Sequence, residues 1–164
     1  MSDPVDTLLT NARVVTMDED FHVYHPGCVA ITANTIVHVG SGAQGLAARE
    51  TIDCADRVVM PGLINAHTHV PMTLVRGLAD DLRLDVWLMG YMMPVEREFV
   101  QPYFVTLGTR LACAELIRSG VTCFADMYYF EDAVATAAAA AGLRALCTQA
   151  ILKFPSPDAA SYED

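Results

Sequence analysis

The chain has 164 residues, 53% of them hydrophobic, with 20 acidic residues against 10 basic ones and a formal net charge of -10. That hydrophobic content excludes a disordered chain and is enough for a real core. The negative balance leaves no cationic footprint for a phosphate backbone or an anionic membrane surface, so neither nucleic acid nor membrane is expected as a partner.

The opening segment MSDPVDTLLT starts acidic and has no apolar run resembling a signal peptide, and no later stretch approaches ~20 uninterrupted apolar residues. Five widely spread cysteines, Cys28, Cys54, Cys113, Cys123 and Cys147, include no pair at zinc-knuckle or redox spacing. They read as buried free thiols, and a cytoplasmic location is expected.

Residues 7–16 (TLLTNARVVT) alternate apolar and polar positions, and residues 28–39 (CVAITANTIVHV) do so again around a turn at Ala33 and Asn34. The alternation predicts a small antiparallel β unit. Residues 40–45 form a Gly/Ser-rich loop, and residues 51–53 and 57–60 read as short strands leading into Pro61-Gly62. Residues 1–60 are thus expected to be a β-only N-terminal domain, with residues 61–164 a second region of different pattern.

In that second region LINAHTH reads as a strand end, and residues 84–93 (LDVWLMGYMM) as a buried helix or ordered loop interrupted by Pro94. Pro102 stands at a plausible first helical position, and a helix is predicted over residues 102–119, with Leu107, Leu111, Ala114 and Ile117 or Arg118 on neighbouring faces before Gly120 stops it. A strand VTCFADM, an Ala-rich helix from Glu131 to Ala141 closed by Gly142, and a strand RALCTQAI follow. Strand, helix, strand, helix, strand predicts an α/β fold with parallel pairing.

The chemistry is concentrated in VVMPGLINAHTHVPMTLVRG, residues 58–77. His67 and His69 are two apart, and in a strand side chains at i and i+2 share a face, so both imidazoles can converge on one cation. Neutral imidazole suits zinc and its neighbours, and a metal with an open position activates water. A bare H-x-H pair also arises by chance on a solvated strand end. Here it follows a Pro-Gly turn and an apolar strand, which is where a barrel strand delivers residues to its catalytic face.

PGLINAHTH, followed by PMTLVRGLADDL and VWL, resembles the amidohydrolase superfamily, and within it the methylthioadenosine/S-adenosylhomocysteine deaminase branch. The resemblance covers essentially the whole chain. It implies an N-terminal domain that is half of a composite β-sandwich, followed by the first strands and helices of a (β/α)8 barrel, incomplete over these residues. It also implies His67 and His69 as ligands of one divalent metal, zinc first, with Fe2+ or Mn2+ as alternatives. The implied activity is hydrolytic deamination of an adenosine-type nucleoside or related aminated heterocycle. Guanine-type deamination, triazine dechlorination, or a non-catalytic fragment are the competing readings. By the same resemblance the remaining ligands and the proton shuttle lie beyond residue 164, so no catalytic residue is assigned, the rest of the barrel is needed, and a homo-oligomer is expected.

Two substrate-binding positions carry over by resemblance: Trp87, lining the purine and ribose pocket, and Glu96, accepting from the ribose hydroxyls. An acceptor-only carboxylate suits a diol. The alternatives are a core aromatic for Trp87 and a solvated helix start for Glu96. Where relatives that handle S-adenosylhomocysteine carry an arginine for the amino-acid carboxylate, this chain has Gln149, which lacks the charge and the fork. His22, His25 and His38 are expected at the surface, Asp80 and Asp81 in a solvated loop. For Asp126, facing the site, helix capping and loop hydrogen bonding are all open.

Overall fold

The computed structural model describes residues 3–43 and 45–163; Met1 and Ser2 of the opening segment, Gln44 of the expected 40–45 loop, and Asp164 lie outside the described residues. The chain divides into two units, residues 1–61 and 62–164.

The first unit is built around β1 (Val5–Val15), the longest strand. β2 (Val23–Thr32) pairs antiparallel with it and β3 (Thr35–Gly40) antiparallel with β2, through the expected turn, where Ala33 has φ 52°. β4 (Ala48–Asp53) and β5 (Val58–Val59) then pair with the other edge of β1 in parallel. The expected antiparallel unit of residues 7–39 is present, and the two later strands join it in parallel: parallel neighbours need a long crossover, and the β2–β3 hairpin provides it. A bulge in β1 between Leu9 and Ala12, with Asn11 at φ 51°, inverts the alternation. Leu8 therefore packs with Cys28 and Ala30, whereas Ala12 and Val14 pack with Val29 and Cys54. Among the described residues this unit holds one sheet.

The second unit is a three-stranded parallel sheet, β6 (Leu63–Thr68), β7 (Val121–Tyr128) and β8 (Arg144–Gln149), in that order. Gly62 enters the sheet against Thr122, where a Cβ would lie 2.2 Å from the threonine methyl. After β6 the chain turns through a 3-10 helix, Val70–Val75, and a loop. It then forms α1 (Leu84–Val86), a π-helical segment Trp87–Met92, and α2 (Met93–Phe99). This corrects two expectations. The stretch is largely exposed, with only Met92 and Glu96 buried, and Pro94 does not interrupt it. The wide π turn before Pro94 accommodates a residue that lacks an N–H and would crowd the preceding turn.

α3 (Pro102–Arg118) and α4 (Glu131–Ala141) cover one face of the sheet. α3 buries Val105, Gly108, Thr109, Ala112 and Cys113, and it leaves the expected Leu107, Leu111 and Ile117 exposed. The stripe is set by close approach to the 3-10 helix: a Cβ on Gly108 would lie 2.5 Å from the Pro71 carbonyl oxygen. From Phe124 on, β7 alternates, burying Phe124, Asp126 and Tyr128 on the helix side and leaving Met127 exposed. The result is an apolar core of Val70, Val105, Ala112, Phe124, Tyr128, Val134 and Ala138. Among the described residues no helix is long and apolar enough to cross a membrane.

Candidate metal and substrate site

Parallel strands deliver their C-terminal ends to one edge, and in this unit that edge gathers His67 and His69 from β6, Tyr128 and Tyr129 from β7, and Gln149 from β8. His69 lies one residue past β6, at the start of the 3-10 helix. The two imidazoles meet edge to face, with their Nε2 atoms 3.3 Å apart. Two nitrogens each about 2.0–2.1 Å from one tetrahedral zinc ion lie roughly 3.3–3.4 Å apart, so the pair fits a shared ion without rearrangement. The His69 Nδ1–H donates to the Met127 carbonyl at 2.7 Å, which leaves the Nε2 lone pair free to ligate. The His67 backbone N–H donates to the Asn65 side chain at 3.2 Å.

Asp126 is 2% exposed and stands opposite Thr68 in the β6–β7 register. Its Oδ1 accepts from the Val70 N–H at 2.7 Å and the Thr68 hydroxyl at 2.5 Å, on either side of His69. Of the readings open for Asp126, loop hydrogen bonding is what the structure has. Phe130, not Asp126, occupies the N-cap of α4. Glu131 is buried nearby, and burial first, then the Asp126 charge, pushes its carboxyl up to about 7.

Glu96, 6% exposed, is no solvated helix start. Its Oε1 accepts from the Tyr128 hydroxyl at 2.9 Å and its Oε2 from the Tyr129 hydroxyl at 3.4 Å. Burial raises its pKa, opposed by the two tyrosine hydrogen bonds. The two tyrosines were not singled out from sequence; the doubled Tyr ending a buried strand was the available signal, since a buried Tyr hydroxyl needs a partner. Trp87 is half-buried rather than a core residue. It lines a pocket of about 220 Å3 with Met72, Arg76, Asp80 and Met92, to which neither histidine contributes.

The Gln149 side chain is engaged locally. It accepts the Glu131 N–H at 3.3 Å and donates to the Asp158 carboxylate and the Ala150 carbonyl. It lines a cleft of about 470 Å3 with Phe130, Asp132, Ser156, Asp158 and Tyr162, and no Lys or Arg is among the lining residues. His22 and His25 are exposed and pair with Asp18 and Asp56, and His38 is exposed, so all three are surface residues as expected. All five cysteines are free. Among the described residues no third His, Cys, Asp or Glu completes a metal cluster with the histidine pair.

The amidohydrolase family's sequence profile matches residues 58–164, the whole of the region that carries this edge. The chain belongs to the amidohydrolase family. It is 50% identical over 159 residues to the 5-methylthioadenosine/S-adenosylhomocysteine deaminase of Syntrophobacter fumaroxidans, covering 95% of this chain and 36% of that protein. It is 47% identical over 143 residues to the 5'-deoxyadenosine deaminase of Methanosarcina barkeri, covering 87% of this chain and 33% of that protein. Among solved structures, a Xanthomonas campestris adenosine deaminase with bound zinc superposes with a TM-score of 0.93 at 41% identity, over 99% of this chain and 38% of the other. This amidohydrolase chain spans little more than a third of the length of the relatives it matches.

Proposed function

We propose that the chain is the N-terminal portion of a metal-dependent hydrolytic deaminase that releases ammonia from an adenosine-type nucleoside. The observation that carries this reading is the His67–His69 pair, with its 3.3 Å Nε2 separation and its tautomer set from the Met127 carbonyl. A divalent ion held there, zinc first with iron or manganese as alternatives, supplies Lewis acidity and lowers the pKa of water toward neutrality. The ligands that complete its shell, and the proton shuttle, come from the rest of a (β/α)8 barrel. The N-terminal sheet then serves as half of a composite sandwich.

Glu96 is the diol acceptor. Each of its oxygens takes one tyrosine hydroxyl and keeps lone-pair capacity for a ribose hydroxyl. Trp87 contributes the wall of the neighbouring pocket against the base and sugar. The cleft at Gln149 presents Asp132 and Asp158 without a cation, which leaves the carboxylate of an amino-acid tail without a charged partner. 5'-Deoxyadenosine and 5'-methylthioadenosine therefore fit better than S-adenosylhomocysteine. The five free thiols accord with a cytoplasmic enzyme, and self-association is part of the same reading.

The test is elemental analysis of the complete protein together with ammonia release from a panel of adenosine derivatives, free bases and aminated heterocycles. About one zinc-like ion per chain, lost with activity in His67→Ala, is the expected result. Glu96→Gln should erase any preference for nucleoside over free base. Absence of metal, and of ammonia after metal addition, would establish the non-catalytic alternative instead.

A further inference from the structure

We infer that residues 126–129, at the C-terminal end of β7, are the positioning segment of the site: the Asp126 carboxylate and Met127 carbonyl set the metal-ligand turn, and the Tyr128 and Tyr129 hydroxyls set Glu96. The metal-ligand half rests only on the histidine pair; the Glu96 half rests on the proposed nucleoside reading.

A histidine just beyond a strand end has two freedoms to lose, the path of its backbone and the rotation of its ring. Asp126 removes the first. Its Oδ1 anchors residues 68 and 70, one on each side of His69, through two short charge-assisted bonds. Asp126 is itself fixed, because the Thr148 hydroxyl of β8 donates to its backbone carbonyl at 2.5 Å. Met127 removes the second freedom, because its carbonyl takes the His69 Nδ1–H. Strand alternation puts Tyr128 on the same face as Asp126, and Tyr129 follows as a second buried hydroxyl. Both phenols have raised pKa values, Tyr129 up to about 12, through burial and the nearby Glu96 charge, so they remain donors. A long carboxylate side chain on α2 is thereby held at both oxygens. One strand end thus orients two groups from two different elements.

The test uses the complete enzyme and two readouts that do not depend on turnover. One is zinc affinity by competition with a chromophoric chelator. The other is calorimetric binding of an unreactive purine riboside against its 2',3'-dideoxy counterpart. Asp126→Ala should weaken zinc binding about 10- to 100-fold, the usual effect of losing an outer partner of a ligand. Asp126→Asn should recover most of it, because its carbonyl oxygen can accept the same two bonds. Tyr128→Phe combined with Tyr129→Phe should leave zinc affinity unchanged and cut the riboside preference roughly tenfold, about one hydrogen bond to a charged group. If Asp126→Ala does not fold, Thr68→Val, which removes one donor and keeps the shape, should give the same loss in milder form. Unchanged zinc affinity in the Asp126 variants, an unchanged riboside preference in the tyrosine pair, or equal losses in both readouts for either variant would overturn the inference. A wild-type enzyme that binds zinc but neither riboside would instead overturn the nucleoside reading and the Glu96 half with it, while the zinc readout still decides the Asp126 half.

Discussion

Single residues in this site act through who else is buried beside them. Glu131 and Asp126 are both buried, and their carboxyl groups act on each other. Two buried carboxyls in one place cannot both ionise cheaply, so the fold retains a proton on Glu131 up to about pH 7. The unfolded chain releases that proton near its ordinary value of 4.5. Between those values the native state binds more protons than the unfolded state, so stability is greatest at the acid end of the window, falls as pH rises through it, and then levels off. Glu131→Gln should flatten this slope, which thermal melts of the complete protein over about pH 5 to 8 will read. At Gln149 a substitution in the opposite chemical direction is informative. Gln149→Arg should raise kcat/KM for S-adenosylhomocysteine relative to 5'-deoxyadenosine by roughly tenfold, the effect of one added charge-assisted bond; an unchanged ratio would dissociate this cleft from the substrate's tail.

At the scale of elements, α3 approaches the 3-10 helix closely at Gly108. Gly108→Ala gains helix propensity of about 1 kcal/mol but forces a methyl into the Pro71 carbonyl, and overpacking of that kind costs about 1–3 kcal/mol. A lower Tm is expected, whereas an Ala variant as stable as wild type would mean the two helices can separate freely. This contact explains why the sequence placed α3 correctly but chose the wrong stripe. Leu107 and Leu111 outweigh Gly108 and Ala112 by hydropathy, but the buried face is the one whose small residues allow approach. The same kind of blindness applies to β4 and β5, whose parallel pairing depends on where the β2–β3 hairpin returns the chain. Strands β6 to β8, the Ala-rich helix and the H-x-H turn were legible because their signals are local: alternation, capping glycines and two histidines two residues apart at a strand end. Asp126 and Glu96 were only half legible. Their roles depend on partners 56 and 32 residues away, Val70 and Tyr128.

For the molecule as a whole, much apolar surface is left open among the described residues. Ile64 is 72% exposed, Leu146 63% and Ile151 75%, and β6 and β8 are both sheet edges. Edges and apolar faces of this kind invite association. The 164-residue chain expressed alone should therefore aggregate or melt without a cooperative transition, as light scattering and calorimetry would report. A soluble monomer with a sharp transition would show that the two units need no further strands. The bond from His69 to the Met127 carbonyl bears on how such a sequence can diversify. Its acceptor is main chain, so no codon change at position 127 to another L-residue deletes it. The Met127 side chain lies on the opposite face from Asp126, and its identity does not enter that bond. Substitution of that side chain can reshape its surroundings while the main-chain acceptor of the His69 ring stays in place.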